Sequence, residues 1–478
     1  MKKLTLLLLS IVSILSAAAE SYVPRRGEVK FKMLQTTNSK AIHEVRNTPF
    51  TKHYYSLYET IDLDAAKPMH DYLGVGVSMT DASCWLLSQV DKDVRHDLLK
   101  RVFTQDGYNL SIIRLNCGSS DYATELYNYN DTKGDVEMKN FSIARDKRYM
   151  IPIIKSLKRY NRDIYTFSSV WSVPGWMKTS GEMCGGALLD EHLPSFANYW
   201  AAYLKAYKEQ GIKIDAITIQ NEPLTDQRGG CPATLISAEQ EALLASKYIP
   251  QALKKARVDT KIWIHDHNYE DYERVLTILE NKEVVSTIDA IAWHPYNGEP
   301  EMIQAVKAKY PSIPMHLTER GPNLTKLDKQ DVKWWADVVF GALNNGCQSY
   351  SSWNLVLDAD GQPNVGKHPC GGLFTIDLEK GTFTESTQAK LFRQFSPYVL
   401  RGAKILSITQ PKENIRAIAF QNPNGSIVVC LVVQNKPNKR QTLQIKYRGE
   451  YMLLSLPLNT WSMTTIIIEN DKKELTTN

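Results

Sequence analysis

Short apolar runs recur along the middle of the chain, and stretches with helical spacing of apolar residues lie between them. Leu73–Ser78, Leu110–Asn116, Ile164–Val170 and Ile214–Ile219 read as strands. So do Lys261–Ile264, Ile288–Trp293, Pro314–Leu317 and Gln348–Leu355. Helical patterns include Ser195–Gln210, Ala238–Ala256 and Asp328–Asn344. Eight strand–helix units between about Tyr72 and Ser396 predict an α/β protein built on a (β/α)8 TIM barrel.

From Ala403 onward the pattern changes to short strands and turns without a helix. Asn422-Pro423-Asn424-Gly425 is a turn signal between Ile415–Gln421 and Ile427–Val433, with Gln441–Tyr447 and Ser462–Ile468 to follow. This predicts an attached small β-sandwich. Tyr22 to Leu63 also lacks helical spacing and is expected to add strands to it. The expected division is a signal peptide at 1–19, N-terminal sandwich strands at 22–65, the catalytic barrel at 66–400 and the C-terminal sandwich at 401–472.

The signal reading rests on Lys2 and Lys3, the apolar run Leu4–Leu15 and the small residues Ser16-Ala17-Ala18-Ala19. That run is short for a bilayer, and no membrane span is expected. The first cysteine is Cys84, far from the cleavage site, so export to the periplasm or the medium is expected without a lipid anchor. A net charge of +5 with dispersed Lys and Arg gives no basic tract for nucleic acid. Aromatic residues make up 10 % of the chain, which suits a carbohydrate partner, although most of the tryptophans are expected in the core. The seven cysteines show no CxxC spacing; Cys184 with Cys231 is a guess at a disulfide from their predicted loops.

Barrel enzymes carry their chemistry at the C-terminal ends of the strands. Two carboxylates fall there: Glu222, in Asn221-Glu222-Pro223 after the fourth strand, and Glu319, in Thr318-Glu319 after the seventh. Burying a Glu costs free energy unless it is paired or used. Strands four and seven face each other across a barrel mouth, where two Glu can stand about 5 Å apart, the spacing of a retaining glycosidase. One group must be protonated to donate to the leaving oxygen, and the other ionised to attack the anomeric carbon. Asn-Glu-Pro alone is a weak signal, and Thr-Glu is weaker; it is their joint placement that is specific.

Several ordered segments carry a family resemblance: Gly74-Val-Gly-Val-Ser-Met-Thr-Asp-Ala-Ser83, Ile113-Arg-Leu115 with Ser120-Asp-Tyr122, and Trp171-Ser-Val-Pro-Gly-Trp-Met-Lys-Thr179. Ile219-Gln-Asn-Glu-Pro223, His294-Pro-Tyr296, Thr318-Glu319 and Trp353-Asn-Leu-Val-Leu357 continue the series. From about Leu73 to the C-terminus the chain resembles glycoside hydrolase family 30, which includes glucosylceramidases and β-1,6-glucanases. The resemblance implies Glu222 as acid/base and Glu319 as nucleophile. It implies sugar contacts from Asp81, Trp171, Asn221 and Tyr296, with Trp353 as the floor on which the sugar stacks. Arg114 would brace the carboxylates, with His294 and Asp266 supporting at the strand ends.

Each assignment has a structural alternative. Asp81 suits a helix N-cap, and Trp171 and Trp353 suit the core. His294 and the His265-Asp266-His267 run look like metal ligands, but no third ligand has a convincing spacing, so neither a metal nor a cofactor is expected. The first strand and the loops Thr225–Cys231 and Asp358–Cys370 depart from the family pattern, and these loops choose the substrate. The expectation is a retaining β-glycosidase on β-1,6-glucan or glucosylceramide-like β-glucosides. A β-xylosidase or β-fucosidase is the alternative within the class, and a non-catalytic sugar-binding protein is the alternative outside it.

Overall fold

The computed structural model describes residues 29–38, 40–412, 414–434, 441–457 and 461–470. The expected signal peptide lies outside these residues. Eight parallel strands close into a barrel: Gly74–Ser78, Ile112–Asn116, Tyr165–Ser169, Ala216–Thr218, Lys261–Asn268, Ala290–His294, Met315–Leu317 and Cys347–Asn354. The eighth strand closes on the first, with Tyr350 opposite Val75. The expected fold class holds, and strand ends differ by a few residues.

Gly76 shows why the first strand has so little side chain: a Cβ there would stand 2.6 Å from the Cβ and carbonyl of Ile112. The inside of the barrel is filled by Ile112, Phe167, Ala216, Trp263, Ala290 and Ala292. Trp263 stacks on His316 with ring centroids 4.2 Å apart. This plug beneath the site leaves the strand C-termini as the place for chemistry. The expected helix Ala238–Ala256 is interrupted by a π-helical turn at Leu244–Tyr248.

Seven strands form the large sheet of the sandwich, in the order Lys40–Glu44, Phe31–Thr37, Trp461–Ile468, Ile427–Gln434, Ile415–Gln421, Lys404–Ser407 and Lys67–Asp71. Glu450–Leu456, Gln441–Tyr447 and Glu59–Asp62 form the facing sheet. Lys67–Asp71 pairs with Lys404–Ser407, so the sandwich extends past residue 65 and the barrel begins at Gly74. The turn after Ile415–Gln421 has Gly425 at φ +83°, a conformation that glycine adopts without cost. A small sheet of Val356–Leu357, Phe374–Asp377 and Thr382–Glu385 follows the eighth barrel strand, where no element was expected. No helix among the described residues is long and apolar enough to cross a membrane.

Candidate active site

Arg114, on the second barrel strand, is fully buried. A buried cation survives only when its donors are matched. Its Nε donates to Ser169 Oγ at 2.9 Å, and Nη2 to Asn221 Oδ1 at 2.7 Å and Asp266 Oδ2 at 2.8 Å. Its Nη1 donates to Glu319 Oε2. Burial alone would lower its pKa, but Asp266 and Glu319 hold it above its ordinary value.

Asp266 reaches this hub through a break in the fifth strand. The register slips where Ala292 faces His265 and Trp293 faces His267, leaving Asp266 as an extra residue. His265 and Asp266 take φ of +78° and +51°. Such a bulge re-aims side chains. His265 is carried away from the mouth, with its N–H on Glu241 Oε1 at 2.6 Å and its Nε2 3.1 Å from Asn268 O. The Asp266 carboxylate accepts from Ser169 Oγ at 3.0 Å, Thr218 Oγ1 at 2.5 Å and Thr318 Oγ1 at 2.6 Å. Burial works against its charge, but Arg114 and His294 hold its pKa well below the carboxylate range.

Glu222 and Glu319 both stand just beyond their short strands, as the sequence expects. Glu222 sits at φ +46°, an uncommon conformation for a residue with a side chain. Its Oε1 lies 3.1 Å from His294 Nδ1, and Thr225 Oγ1 donates to its Oε2 at 3.3 Å. Glu319 is more enclosed, 8 % exposed against 20 % for the Glu222 side chain. Tyr296 OH donates to its Oε1 at 2.7 Å. The two carboxylates therefore have different partners: Arg114 and a phenol on Glu319, and a titratable imidazole on Glu222.

His294 lies between Glu222 and Asp266, with Nε2 3.1 Å from Asp266 Oδ1. Both ring nitrogens face carboxylates, which only the doubly protonated ring satisfies. Burial lowers its pKa, but Glu319, Asp266 and Glu222 raise it to about 9. Burial of Glu222 raises the acid's pKa, but the hydrogen bond and charge of His294, with His267 behind it, together hold it below its ordinary value.

Other expected site residues fall differently. Asp81 does not face the mouth. It is fully buried in the first turn of helix Asp81–Gln89, with Thr80 as the N-cap. Its Oδ1 accepts from Tyr149 OH at 2.6 Å and Arg145 Nη1 at 2.5 Å. Its Oδ2 accepts from Thr124 N at 2.9 Å and Oγ1 at 3.1 Å. The carboxylate is used in holding the loop after the second strand, so the expected sugar contact is corrected. Trp353 is 1 % exposed and stacks on Trp171 with centroids 5.1 Å apart at 22°. The Arg114 guanidinium lies 4.6 Å from the Trp171 ring and 5.4 Å from Trp353. Trp353 is thus a packed wall carrying the hub, not an open floor. Asn221 has its Oδ1 occupied by Arg114, which leaves the amide N–H donors for other use.

Asp121 is the residue that sequence reasoning missed, although it stands in the quoted Ser120-Asp-Tyr122 segment. It is 8 % exposed, and its Oδ1 has no hydrogen-bond partner. Burial, then Glu319 and Glu222, push its pKa well above the carboxylate range. Its carbonyl accepts from Val365 N at 2.8 Å and Gly366 N at 3.1 Å, which ties the loop after the eighth strand to the mouth. The guessed disulfide is absent: all seven cysteines are free thiols, and Cys231 Sγ lies 3.5 Å from His368 Nε2.

An eight-stranded barrel with glutamates beyond the fourth and seventh strands, one of them held by a buried arginine, is the arrangement of a barrel hydrolase of glycosides. Residues 72–393 match the glycosyl hydrolase family 30 TIM-barrel domain, and residues 402–466 match the glycosyl hydrolase family 30 beta sandwich domain. The chain belongs to glycoside hydrolase family 30 and is an O-glycosyl hydrolase. It is 30 % identical over 398 residues to an endo-1,6-beta-D-glucanase of Neurospora crassa, covering 79 % of this chain and 81 % of that one. It is 26 % identical over 420 residues to the lysosomal acid glucosylceramidase of Mus musculus, covering 80 % and 79 %. A solved endo-β1,6-glucanase superposes with a TM-score of 0.82 at 26 % identity, over 92 % of this chain and all of that one.

Proposed function

We propose that this glycosidase is exported and hydrolyses β-1,6-linked glucan with retention, Glu319 acting as nucleophile and Glu222 as acid/base. The observation that carries the reading is the unequal partnering of the two glutamates. Glu319 accepts from Arg114, which has no acceptor to offer, and from Tyr296. Glu222 meets an imidazole that exchanges protons. The first pair suits a carboxylate that attacks, the second a carboxyl that gives and takes a proton.

In the free site the proton of the Glu222–His294 pair rests on the imidazole. A sugar that expels water from the mouth makes the separated charges costlier and favours the neutral pair, with the proton on Glu222. Glu222 then protonates the leaving oxygen as Glu319 attacks. Once Glu319 is esterified its charge is gone, the acid's pKa falls, and Glu222 takes a proton from the incoming water. Asn221 and Asp121 supply polar groups to the hydroxyls of the bound ring.

The β-1,6-glucan reading is supported by the names of the relative from Neurospora crassa and of the solved glucanase. Glucosylceramide-like β-glucosides are the second reading, favoured by the mouse relative. Export is supported by Lys2, Lys3 and the apolar run behind them. Product analysis on pustulan-type β-1,6-glucan, short β-glucosides and a glucosyl lipid tests the reading. Preferential release of β-1,6 gluco-oligosaccharides supports it; no cleavage of that glucan, with turnover of the lipid, contradicts it.

A further inference from the structure

Sequence spacing gives His294 and the His265-Asp266-His267 run no third metal ligand; the fold supplies one. One donor atom each of Glu222, His267 and His294 lies within 4.8 Å of the other two. Zinc ligands about 2.0–2.1 Å from the ion stand about 3.4 Å apart, so closure asks a shift on the order of 1 Å. Glu222, with its side chain 20 % exposed, is the member of the three with most room to make it.

A second observation points the same way. His267 is 6 % exposed, and its Nδ1 has no hydrogen-bond partner. Its Nε2 faces the Asp271 carboxylate at 3.7 Å. The His294 Nε2 lies closer to its own carboxylate, within hydrogen-bond distance of Asp266 at 3.1 Å. His294 keeps its Nδ1 on the Glu222 carboxylate, so an ion would displace the proton held between these two ligands, while the His267 Nδ1 stands without a partner. A carboxylate on the far nitrogen, as Asp266 is for His294, orients an imidazole toward a metal and raises its basicity. An unsatisfied buried nitrogen costs stability, and a bound ion removes that cost.

We propose that Glu222, His267 and His294 form a site for one zinc-like divalent ion, whose occupation reversibly blocks hydrolysis. Two imidazoles and one carboxylate suit Zn2+ or Cu2+ better than Mg2+ or Ca2+. The ion and the glycosidic oxygen compete for the Glu222 carboxylate, so the chain cannot hold both productively. The binding itself does not depend on the proposed substrate.

The test is a titration of the full chain with Zn2+ alone against a chromophoric chelator, together with Cu2+ electron paramagnetic resonance. One ion per chain is expected, with hyperfine coupling to two imidazole nitrogens. His267→Asn should weaken binding by at least the about 10–100-fold that loss of an outer partner costs, and should leave coupling to one nitrogen. Asp271→Asn lies nearer the surface and, should His267→Asn not fold, gives the same comparison with about tenfold weaker binding. Cys231→Ser should bind as the wild type does. Unchanged affinity in the His267 and Asp271 variants, or loss of binding in Cys231→Ser, overturns the site. Because the readout is binding, it stays informative even if the glucan assignment fails.

Discussion

The main-chain N–H of Glu222 donates to the main-chain carbonyl of Asp266 at 3.0 Å, and both residues are in the left-handed region, at φ +46° and +51°. Two strained turns on neighbouring strands thus hold each other. Strain of this kind costs about 1–3 kcal/mol per residue and persists only where the surroundings over-determine it. Here the surroundings are the donors on the Asp266 carboxylate, and the return is the position of the acid/base beside His294.

Asp266→Asn should therefore impair both stability and catalysis. It removes the charge that balances Arg114 and His294 in a fully buried site. Breaking such a pair costs about 3–5 kcal/mol. Calorimetry should show a melting point lower by several degrees, and kcat should fall even at temperatures where the variant is folded. A variant with unchanged melting and kcat would refute this role.

Asp81 and Asp121 should separate cleanly. Asp81→Asn weakens the Arg145 contact, which is partly exposed and shared with Glu125, so a loss of about 2 kcal/mol is expected with kcat/KM near the wild-type value. Asp121→Ala should keep the melting point and lose up to about tenfold in kcat/KM, as for a neutral hydrogen bond lost in the transition state. Steady-state kinetics paired with thermal melts decide it; the reverse pattern would restore the sugar contact to Asp81.

The imidazolium of His294 predicts a dependence of stability on pH. Its pKa rises from 6.5 to about 9 in the fold. A group raised on folding contributes its stability fully below the unfolded value and loses it as pH climbs through the folded one. The wild type should lose up to about 3 kcal/mol between pH 6.5 and 9 from this group, since each pKa unit is about 1.4 kcal/mol. His294→Asn should show a flatter profile over that window. Equal slopes for the two proteins would contradict the charged ring.

Strand period and strand-end carboxylates made the barrel and both glutamates legible in the sequence, because a buried strand that stops on Asn-Glu or Thr-Glu breaks its own pattern. The burial of Asp81 and the open carboxyl of Asp121 were not legible. Both follow barrel strands, and Asp81 was captured by Arg145 and Tyr149, sixty residues and more along the chain. Nor was the bulge: a strict alternation sends Asp266 to the face opposite His265 and His267, and only the register slip against Ala292 and Trp293 re-aims it. Cys184 and Cys231 shared predicted loops, yet Cys231 packs against His368 instead. The family resemblance implied Trp353 as a floor for sugar stacking, while its surroundings of Trp171, Tyr122 and Arg114 enclose it.

Glu319→Gln should lose activity by several orders of magnitude and still fold, at a lower melting point, since it removes the nucleophile and one of the two charges that balance Arg114 while keeping the shape. A 2-fluoro glycoside with a good leaving group should label Glu319 in the wild type, as peptide mapping will show. A label on any other residue contradicts the assignment.

The division of labour between the two carboxylates shows itself in the stereochemistry of azide rescue. Glu222→Ala lacks both the proton donor and the base, so an activated aryl β-glycoside should still glycosylate Glu319 and the covalent intermediate should accumulate. Azide needs no base and fits the space left by the truncation, so it should restore turnover and give the β-glycosyl azide, identified by proton NMR. An α-glycosyl azide from Glu222→Ala would mean that the nucleophile had been removed, and that the roles of Glu222 and Glu319 are reversed.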